Sequence, residues 1–217
     1  MRASTDATRQ RLLSAAGPLF AAHGFRDTGI KQICDAAGTN VAAVHYHFGS
    51  KLDFYAAVLA NAHQQAFVGS PMPVATPRTA PIDAFTTWLR WWIGAMLHPD
   101  RPVWLQTLLA REMVDPTPAL DSIVDRSIRP MYERLTAHVR KLLPPRTGAA
   151  VVRRCTHSVI GQVLFYKHAA PVLERLGRRV DTTRTALPRL VDHVVAFSLA
   201  GVAAASTPRS DERRRTR

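Results

Sequence analysis

Apolar residues recur with a period of about 3.6 residues along almost the whole chain, and no segment alternates strictly between apolar and polar side chains. This pattern is typical of helices that bury one face, so we expect an all-α protein. Pro130 lies inside one of the periodic segments and predicts a kink or a break there. The predicted helices are 5–23, 29–37, 41–47, 51–67, 82–97, 101–114, 118–143, 149–168 and 184–205.

Four local signals place the ends of the first helices. Gly24 is expected to end the first helix, because glycine adopts the left-handed backbone at little cost. Thr28 and Asn40 are predicted to be the N-caps of the second and third helices. The sequence Ser50-Lys51-Leu52-Asp53 resembles a capping box and predicts the start of the fourth helix.

Prolines divide the chain into a small N-terminal part and a larger C-terminal part. Four prolines between Gly69 and Pro81 exclude a continuous helix there, so the segment is interpreted as a linker. The final residues are polar and charged, which predicts a disordered basic tail. The predicted organisation is a small N-terminal domain at 1–67, a linker at 68–81, a larger helical domain at 82–206, and the tail at 207–217.

Composition narrows the class of protein and of partner. The 217 residues carry a formal net charge of +13, which makes nucleic acid the first partner to consider, although a compositional bias toward arginine gives the same excess. Two cysteines are too few for a disulfide framework or a four-thiolate zinc site. The N-terminus lacks the apolar segment of a signal peptide, and the longest apolar run, 194–205, is too short to span a bilayer. We therefore expect a cytoplasmic protein without a membrane partner.

The second and third helices, joined at Gly38-Thr39, have the spacing of a helix-turn-helix. A recognition helix buries one face and exposes donors and small groups to base edges on the other. In the third helix Val44 is expected to face inward, while His45 and Tyr46 point outward and can donate to bases or phosphates. A glycine turn between two short helices also occurs in helical proteins that bind no DNA, so spacing alone leaves both interpretations open.

A longer set of residues resembles the DNA-binding domain of the TetR family of regulators. It comprises Gly24-Phe25, Thr28, Ile33, Ala36-Ala37-Gly38, the run from Val44 to Lys51, and Tyr55. Thr39 and His45 depart from the family's usual valine and tyrosine. The resemblance implies operator binding, and the residues expected to form the DNA-binding site are Thr28, Lys31, Asn40, Val41, Ala42, His45, Tyr46, His47 and Lys51.

The remainder of the chain resembles the CecR-type subfamily. The resemblance rests on 40–44, on Arg111-Glu112 with Pro116-Thr117, and on 160–162. It implies ligand-controlled repression. Together with the short recognition helix and the aromatic residues described next, it leads us to expect a repressor that binds a palindromic operator as a dimer and is released by a small, largely apolar effector. Genes for transport or antibiotic tolerance are the implied targets.

The C-terminal part concentrates aromatic residues, and all four tryptophans fall between 88 and 104. Aromatic side chains with a few polar groups are typical of small-molecule pockets, although a helical core needs such residues too. The predicted pocket residues are Trp88, Trp92, Met96, Trp104, Leu105, Leu108, Met131, His138, Phe165 and Tyr166.

The segments 149–168 and 184–205 are apolar on more than one face. Such helices must be buried by a partner, which favours a four-helix homodimer interface over burial within one chain.

No pattern indicates catalysis, a cofactor or a metal site. His45 and His47 lie two residues apart and so point to different helix faces. We find no nucleophile elbow and no phosphate loop, so an enzyme is not expected. The alternative to a specific regulator is an architectural protein that binds DNA without sequence choice, through its basic tail and general basicity.

Overall fold

The structure is a computed structural model that describes residues 2–65, 67, 69–98 and 102–206; the predicted tail at 207–217 lies outside them. The described residues form helices only, which confirms the predicted all-α class. A single π-helical turn, Val124–Ile128, lies among them. The α-helices are α1 (Arg2–Asp27), α2 (Ile30–Ala37), α3 (Val41–Phe48), α4 (Lys51–Gln65), α5 (Pro81–Met96), α6 (Val103–Val114), α7 (Ala119–Ile123), α8 (Arg129–Leu142), α9 (Ala149–His168), α10 (Ala170–Arg175) and α11 (Leu187–Ala205).

The helices form two compact units that do not follow the order of the chain. The first unit comprises Met1–Val68 and Asp100–Pro130, and the second comprises Gly69–Pro99 and Met131–Arg217. Helices α6 and α7 therefore pack with the N-terminal helices, although the sequence groups them with the C-terminal part. The predicted functional domains remain a prediction, and the compact units cut across their boundaries.

An aromatic cluster at the end of α1 forms the centre of the first unit. The ring of Phe20 lies 4.8 Å from that of Tyr55 and 6.1 Å from that of Phe54, between ring centroids. Gly24 has φ 82° and ψ 173°, which breaks the helical backbone of α1. The break turns Phe25 back onto Tyr55, with ring centroids 5.1 Å apart. The prediction that Gly24 interrupts the first helix is thus correct, although helical backbone resumes beyond it as far as Asp27.

Helix α6 packs directly on α1. The approach is close because Gly17 has no side chain; a Cβ atom there would lie 2.4 Å from Cζ3 of Trp104. Leu105 and Leu108 are buried in the same core as the side chains of α1 and α4. The N-terminal unit consequently contains a helix from outside the helix-turn-helix region.

Helices α5, α9 and α11 pack on one another in the second unit. Their buried faces carry Ile93, Val163 and Val194, none of which is solvent accessible. Arg90 on α5 forms an ion pair with Asp192 on α11. These contacts leave one face of α11 without cover in the single chain, and Phe197 on that face is 61% exposed.

Several predicted helix boundaries need correction. Gly29, not Thr28, is the N-cap of α2, because the Thr28 hydroxyl donates back to the Gly24 carbonyl oxygen at 2.6 Å. The predicted helix 118–143 is divided into α7, the π-helical turn and α8; the wider turn ends at Ile128, two residues before Pro130, which has no N–H to donate. Helix α10 was not predicted, and α11 begins at Leu187 rather than at 184.

Helix α11 is long and apolar enough to cross a membrane by length and composition alone, and 33% of its apolar window is buried within the chain. Core helices of soluble proteins meet the same criterion, so this observation is weak evidence for a membrane helix. Its buried face, with Val191, Val194 and Val202, packs within the second unit.

The close contact between α1 and α6 predicts that Gly17→Ala is destabilising. The added methyl group would meet the indole of Trp104, and overpacking of this kind costs about 1–3 kcal/mol in the free energy of unfolding. Denaturant unfolding measures the loss. The matched control is Gly94→Ala on α5, where a Cβ atom has open space and should be neutral or slightly stabilising. Equal effects of the two substitutions would contradict the packing described.

Candidate DNA-binding site

The turn between α2 and α3 depends on a left-handed glycine. Gly38 has φ 61° and ψ 45°, which residues with a Cβ rarely adopt. Its N–H donates to the Asp35 carbonyl oxygen, and the Thr39 N–H donates to the Cys34 carbonyl oxygen at 3.0 Å. The backbone therefore satisfies the end of α2 itself, and Thr39 is accommodated in the turn.

The buried side of the helix-turn-helix is small and apolar. Ile33, Cys34 and Ala37 on α2 meet Val44 on α3 in the core of the first unit. Burial, with a smaller contribution from Asp35, raises the pKa of the Cys34 thiol. The thiol therefore stays protonated and acts as an apolar core group.

The outward face of α3 carries small and hydrogen-bonding side chains. Asn40 is the N-cap, as predicted, and its side-chain oxygen accepts from the Ala43 N–H at 3.0 Å. Val41 is 40% exposed and Tyr46 is 78% exposed, and Ala42 and His45 are also exposed. A face of this size and chemistry suits the edges of base pairs in a major groove.

His45 is oriented by the backbone at the end of α3. Its Nδ1 lies 2.8 Å from the Gly49 carbonyl oxygen, which can only accept, so Nδ1 carries the proton. In the neutral ring, Nε2 is then an acceptor and not the donor that the sequence suggested. The side chain can therefore accept from the exocyclic amine of adenine or cytosine.

The other predicted DNA-binding residues lie in different environments. Lys31 is exposed on the first turn of α2, whereas His47 is half-buried beside Tyr46 and Phe48. Lys51 donates to the Arg26 carbonyl oxygen at 3.1 Å and lies over the ring of Phe25. Thr28 is 1% exposed, so the residue supports the fold and is almost inaccessible to DNA in this structure.

Arg111 and Glu112 on α6 form hydrogen bonds to the helices that support the helix-turn-helix. Sequence reasoning did not assign either residue to the site. Arg111 donates from Nε to the Ala21 carbonyl oxygen and from a terminal nitrogen to that of Ala22, each at 2.7 Å. The kink at Gly24 takes these carbonyl groups out of the regular helical pattern. The guanidinium thus caps the broken end of α1, where a cation also complements the helix dipole.

The neighbouring Glu112 is buried, with 2% of its surface exposed. It accepts from the Tyr55 hydroxyl at 2.7 Å and from the Thr117 N–H at 3.0 Å. Burial and the carboxylate together raise the pKa of the Tyr55 phenol far above its usual value. Arg111-Glu112 and Thr117, which carried the subfamily resemblance, therefore position the helix-turn-helix against α6.

Positive charge is distributed away from the helix-turn-helix. Residues 1–68 contain six Lys or Arg and four Asp or Glu, while the whole chain contains 29 and 16. Most of the excess charge therefore lies outside the DNA-binding region, and the high isoelectric point is not in itself a measure of DNA affinity.

The predicted pocket residues are divided between the two units. Trp104, Leu105 and Leu108 pack in the core of the first unit instead of lining a pocket with the others. The remaining seven residues, Trp88, Trp92, Met96, Met131, His138, Phe165 and Tyr166, belong to the second unit. Trp88, Met96 and His138 are buried, whereas Phe165 is 52% exposed.

A helix-turn-helix with a capped recognition helix, built into an all-helical chain with a second helical unit, defines a DNA-binding transcriptional regulator. The model of the TetR family of bacterial regulatory proteins matches residues 12–58. The C-terminal domain of the HTH-type transcriptional dual regulator CecR matches 81–202. The chain therefore belongs to the TetR family, with a C-terminal domain of the CecR type, and both resemblances are confirmed.

Individual relatives agree with this assignment. The transcriptional dual regulator CecR of Shigella flexneri is 27% identical over 198 residues, covering 83% of this chain and 81% of the relative. The solved structure of HlyIIR, a hemolysin II transcriptional regulator, has a TM-score of 0.55 at 19% identity and covers 89% of this chain and 97% of its own. A TetR-family regulator from Streptomyces coelicolor A3 has a TM-score of 0.57 at 18% identity, with 88% and 90% covered. The structural neighbours support the fold alone.

The buried carboxylate predicts a large effect of Glu112→Ala on stability. The substitution leaves the Tyr55 hydroxyl and the Thr117 N–H without their acceptor, at about 1–3 kcal/mol for each buried group. Chemical denaturation measures the change. Glu133→Ala on the exposed side of α8 is the control, with an expected change within about 0.5 kcal/mol. A loss for Glu112→Ala no larger than the control's would show that the contacts to α6 are dispensable.

Proposed function

We propose that this chain is a ligand-responsive repressor that binds a palindromic operator as a homodimer. The observation that carries the proposal is the exposed face of α3. The side chain of Val44 holds this helix in the core, and the exposed residues are Val41, Ala42, His45 and Tyr46. Lys31 supplies a charge at the start of α2 for a phosphate contact. The Lys51 ammonium uses one N–H for its bond to the Arg26 carbonyl oxygen, and its two other N–H groups can donate to a DNA phosphate.

A dimer follows from the short recognition helix and the uncovered faces of α9 and α11. One eight-residue helix reads only a few base pairs, so useful specificity needs two half-sites about 34–36 Å apart. In the single chain, Phe197 on α11 and Phe165 on α9 are more than half exposed, and Gly201 allows another helix to approach closely. A second copy packed on these faces would bury them in a four-helix interface. With its apolar faces covered in this way, the dimer would be a cytoplasmic protein.

An effector that binds the second unit would control DNA binding through the chain segments that join it to α6. Helix α5 carries three tryptophans and is followed in the chain by α6. Helix α6 in turn is hydrogen-bonded to α1 through Arg111 and to α4 through Glu112. An effector that weakens operator binding about 100-fold must favour the DNA-incompetent conformation by about 2.7 kcal/mol. The resemblance to CecR-type regulators makes genes for transport or antibiotic tolerance the proposed targets.

The alternative is an architectural protein that binds DNA without sequence choice. Residues 1–68 account for only a small part of the net charge of +13, so this alternative depends on basic residues elsewhere in the chain. Nonspecific binding depends on phosphate contacts and weakens steeply with salt, whereas an operator complex also depends on base contacts. A gel shift with competitor DNA in rising salt therefore separates the two functions.

Two substitutions on the exposed face separate base contacts from phosphate contacts. Tyr46→Phe removes only a hydroxyl from a side chain that is 78% exposed, and should cost about 1–3 kcal/mol on the preferred sequence and little on others. Lys31→Ala should weaken binding to all sequences alike and reduce the log–log salt slope by about one unit per half-site. Fluorescence anisotropy with operator and scrambled duplexes measures both effects.

The control for these substitutions is Tyr132→Phe on α8, which also removes one phenolic hydroxyl and should leave both affinities unchanged. A change of base preference in Lys31→Ala, together with none in Tyr46→Phe, would contradict the assignment of α3 as the recognition helix.

The proposed dimer predicts that Phe197→Asp yields a monomer. The ring is 61% exposed in the single chain, so an aspartate leaves the fold of one protomer intact but places a charge in the apolar interface. Sedimentation velocity measures the change in mass. Val172→Asp on α10 is the matched control, because Val172 is 59% exposed and lies outside α9 and α11. A dimeric Phe197→Asp protein would place the interface elsewhere.

A further inference from the structure

The second unit contains a hydrogen-bond donor that no described residue satisfies. Trp88 on α5 is 1% exposed, and its Nε1 lies inside the protein without an acceptor among the described residues. The nearby Trp91 shows the usual arrangement, since its Nε1 donates to the Ser70 carbonyl oxygen at 2.8 Å. A buried N–H without an acceptor costs about 1–3 kcal/mol, so this donor would gain free energy from an acceptor supplied by a bound molecule.

Three aromatic rings pack against the ring of Trp88. The ring of Trp92 stacks on that of Trp88 with centroids 5.7 Å apart and planes 26° apart. The imidazole of His138 lies 5.9 Å from Trp88 by ring centroid, and Trp91 lies 6.0 Å away. Flat rings in this arrangement favour a planar ligand, which can stack while its edge meets the indole N–H.

The charges around the cluster disfavour a cation. His138 is 8% exposed, and burial, followed by the charges of Arg134 and Lys141, lowers its pKa, so the imidazole is neutral at pH 7. Residues 69–99 and 131–206 contain fourteen Lys or Arg against five Asp or Glu. A positively charged molecule would therefore enter a unit with an excess of positive charge and would approach Arg134 and Lys141 beside His138, while a neutral ring would meet no such repulsion.

We infer that the effector is an uncharged, planar molecule whose hydrogen-bond acceptor, a carbonyl oxygen or a ring nitrogen, binds the indole N–H of Trp88 among the rings of Trp92 and His138. This assignment rests on the proposed ligand-controlled function and specifies the chemistry of its ligand. The indole N–H selects for the acceptor, and the rings select for flatness.

The test compares three bicyclic probes of similar size on the full-length protein. Coumarin carries a carbonyl acceptor, naphthalene carries none, and N-methylquinolinium is a cation. Titration calorimetry gives each affinity for the wild-type protein, for Trp88→Phe, which keeps an aromatic ring but removes the donor, and for the control Trp104→Phe, which removes an indole from the first unit. A shift of the Trp88 indole proton in the ¹H–¹⁵N spectrum reports the bond directly.

The expected result is a coumarin-to-naphthalene affinity ratio that falls about tenfold in Trp88→Phe and is unchanged in Trp104→Phe. Coumarin should move the Trp88 indole proton downfield, naphthalene should not, and the cation should bind most weakly. An unchanged ratio in Trp88→Phe, tighter binding of the cation, or no binding of coumarin would overturn the assignment. Operator binding of the same samples is measured separately, so loss of the proposed regulatory function is distinguishable from failure of this ligand assignment.

Discussion

The arrangement of the first unit depends on the hydrogen bonds that the buried carboxylate of Glu112 accepts. A carboxylate removed from water is tolerated only when donors surround it, and the Tyr55 hydroxyl and the Thr117 backbone supply them. Because Tyr55 belongs to α4, this requirement holds α6 against the helix-turn-helix. Arg111 adds a second attachment at the kinked end of α1, so two adjacent residues of α6 fix both helices that support α2 and α3.

Under the proposed function, this attachment would give α6 a part in regulation. The matched C-terminal domain spans 81–202, yet its helices α6 and α7 pack with the N-terminal helices. A change in the second unit would reach α6 along the chain, and the bonds of Arg111 to α1 and of Glu112 to α4 would transmit it. Regulation would then depend on a balance between two packed arrangements, each favoured by the effector or by DNA.

Local sequence signals predicted most of the fold. The helical class, the interruption at Gly24, the cap at Asn40 and the Ser50–Asp53 capping interaction all depend on residues a few positions apart. Contacts distant in sequence were not predictable in this way. Nothing near Trp104 indicates that it packs beside Gly17, and nothing near Glu112 indicates a partner 57 residues earlier in the chain.

The same distinction applies to the site. Periodicity identified the exposed residues of α3, but the ring orientation of His45 depends on the Gly49 carbonyl group and reverses the expected donor role. Thr28 matched the family pattern, although its hydroxyl bonds to the Gly24 carbonyl oxygen and is buried. A family pattern therefore identifies residues that matter without separating those that contact DNA from those that hold the fold.

The proposed function requires two copies of the chain to bind one specific DNA sequence, each through its own α3. Selection of bound fragments from the source genome by the purified protein, followed by sequencing, tests it most directly. We expect enrichment of one inverted repeat whose half-sites lie about one turn of the DNA apart, or a whole number of turns. Recovery of fragments in proportion to their abundance, without a shared motif, would contradict it and would instead support a protein that binds DNA without sequence choice.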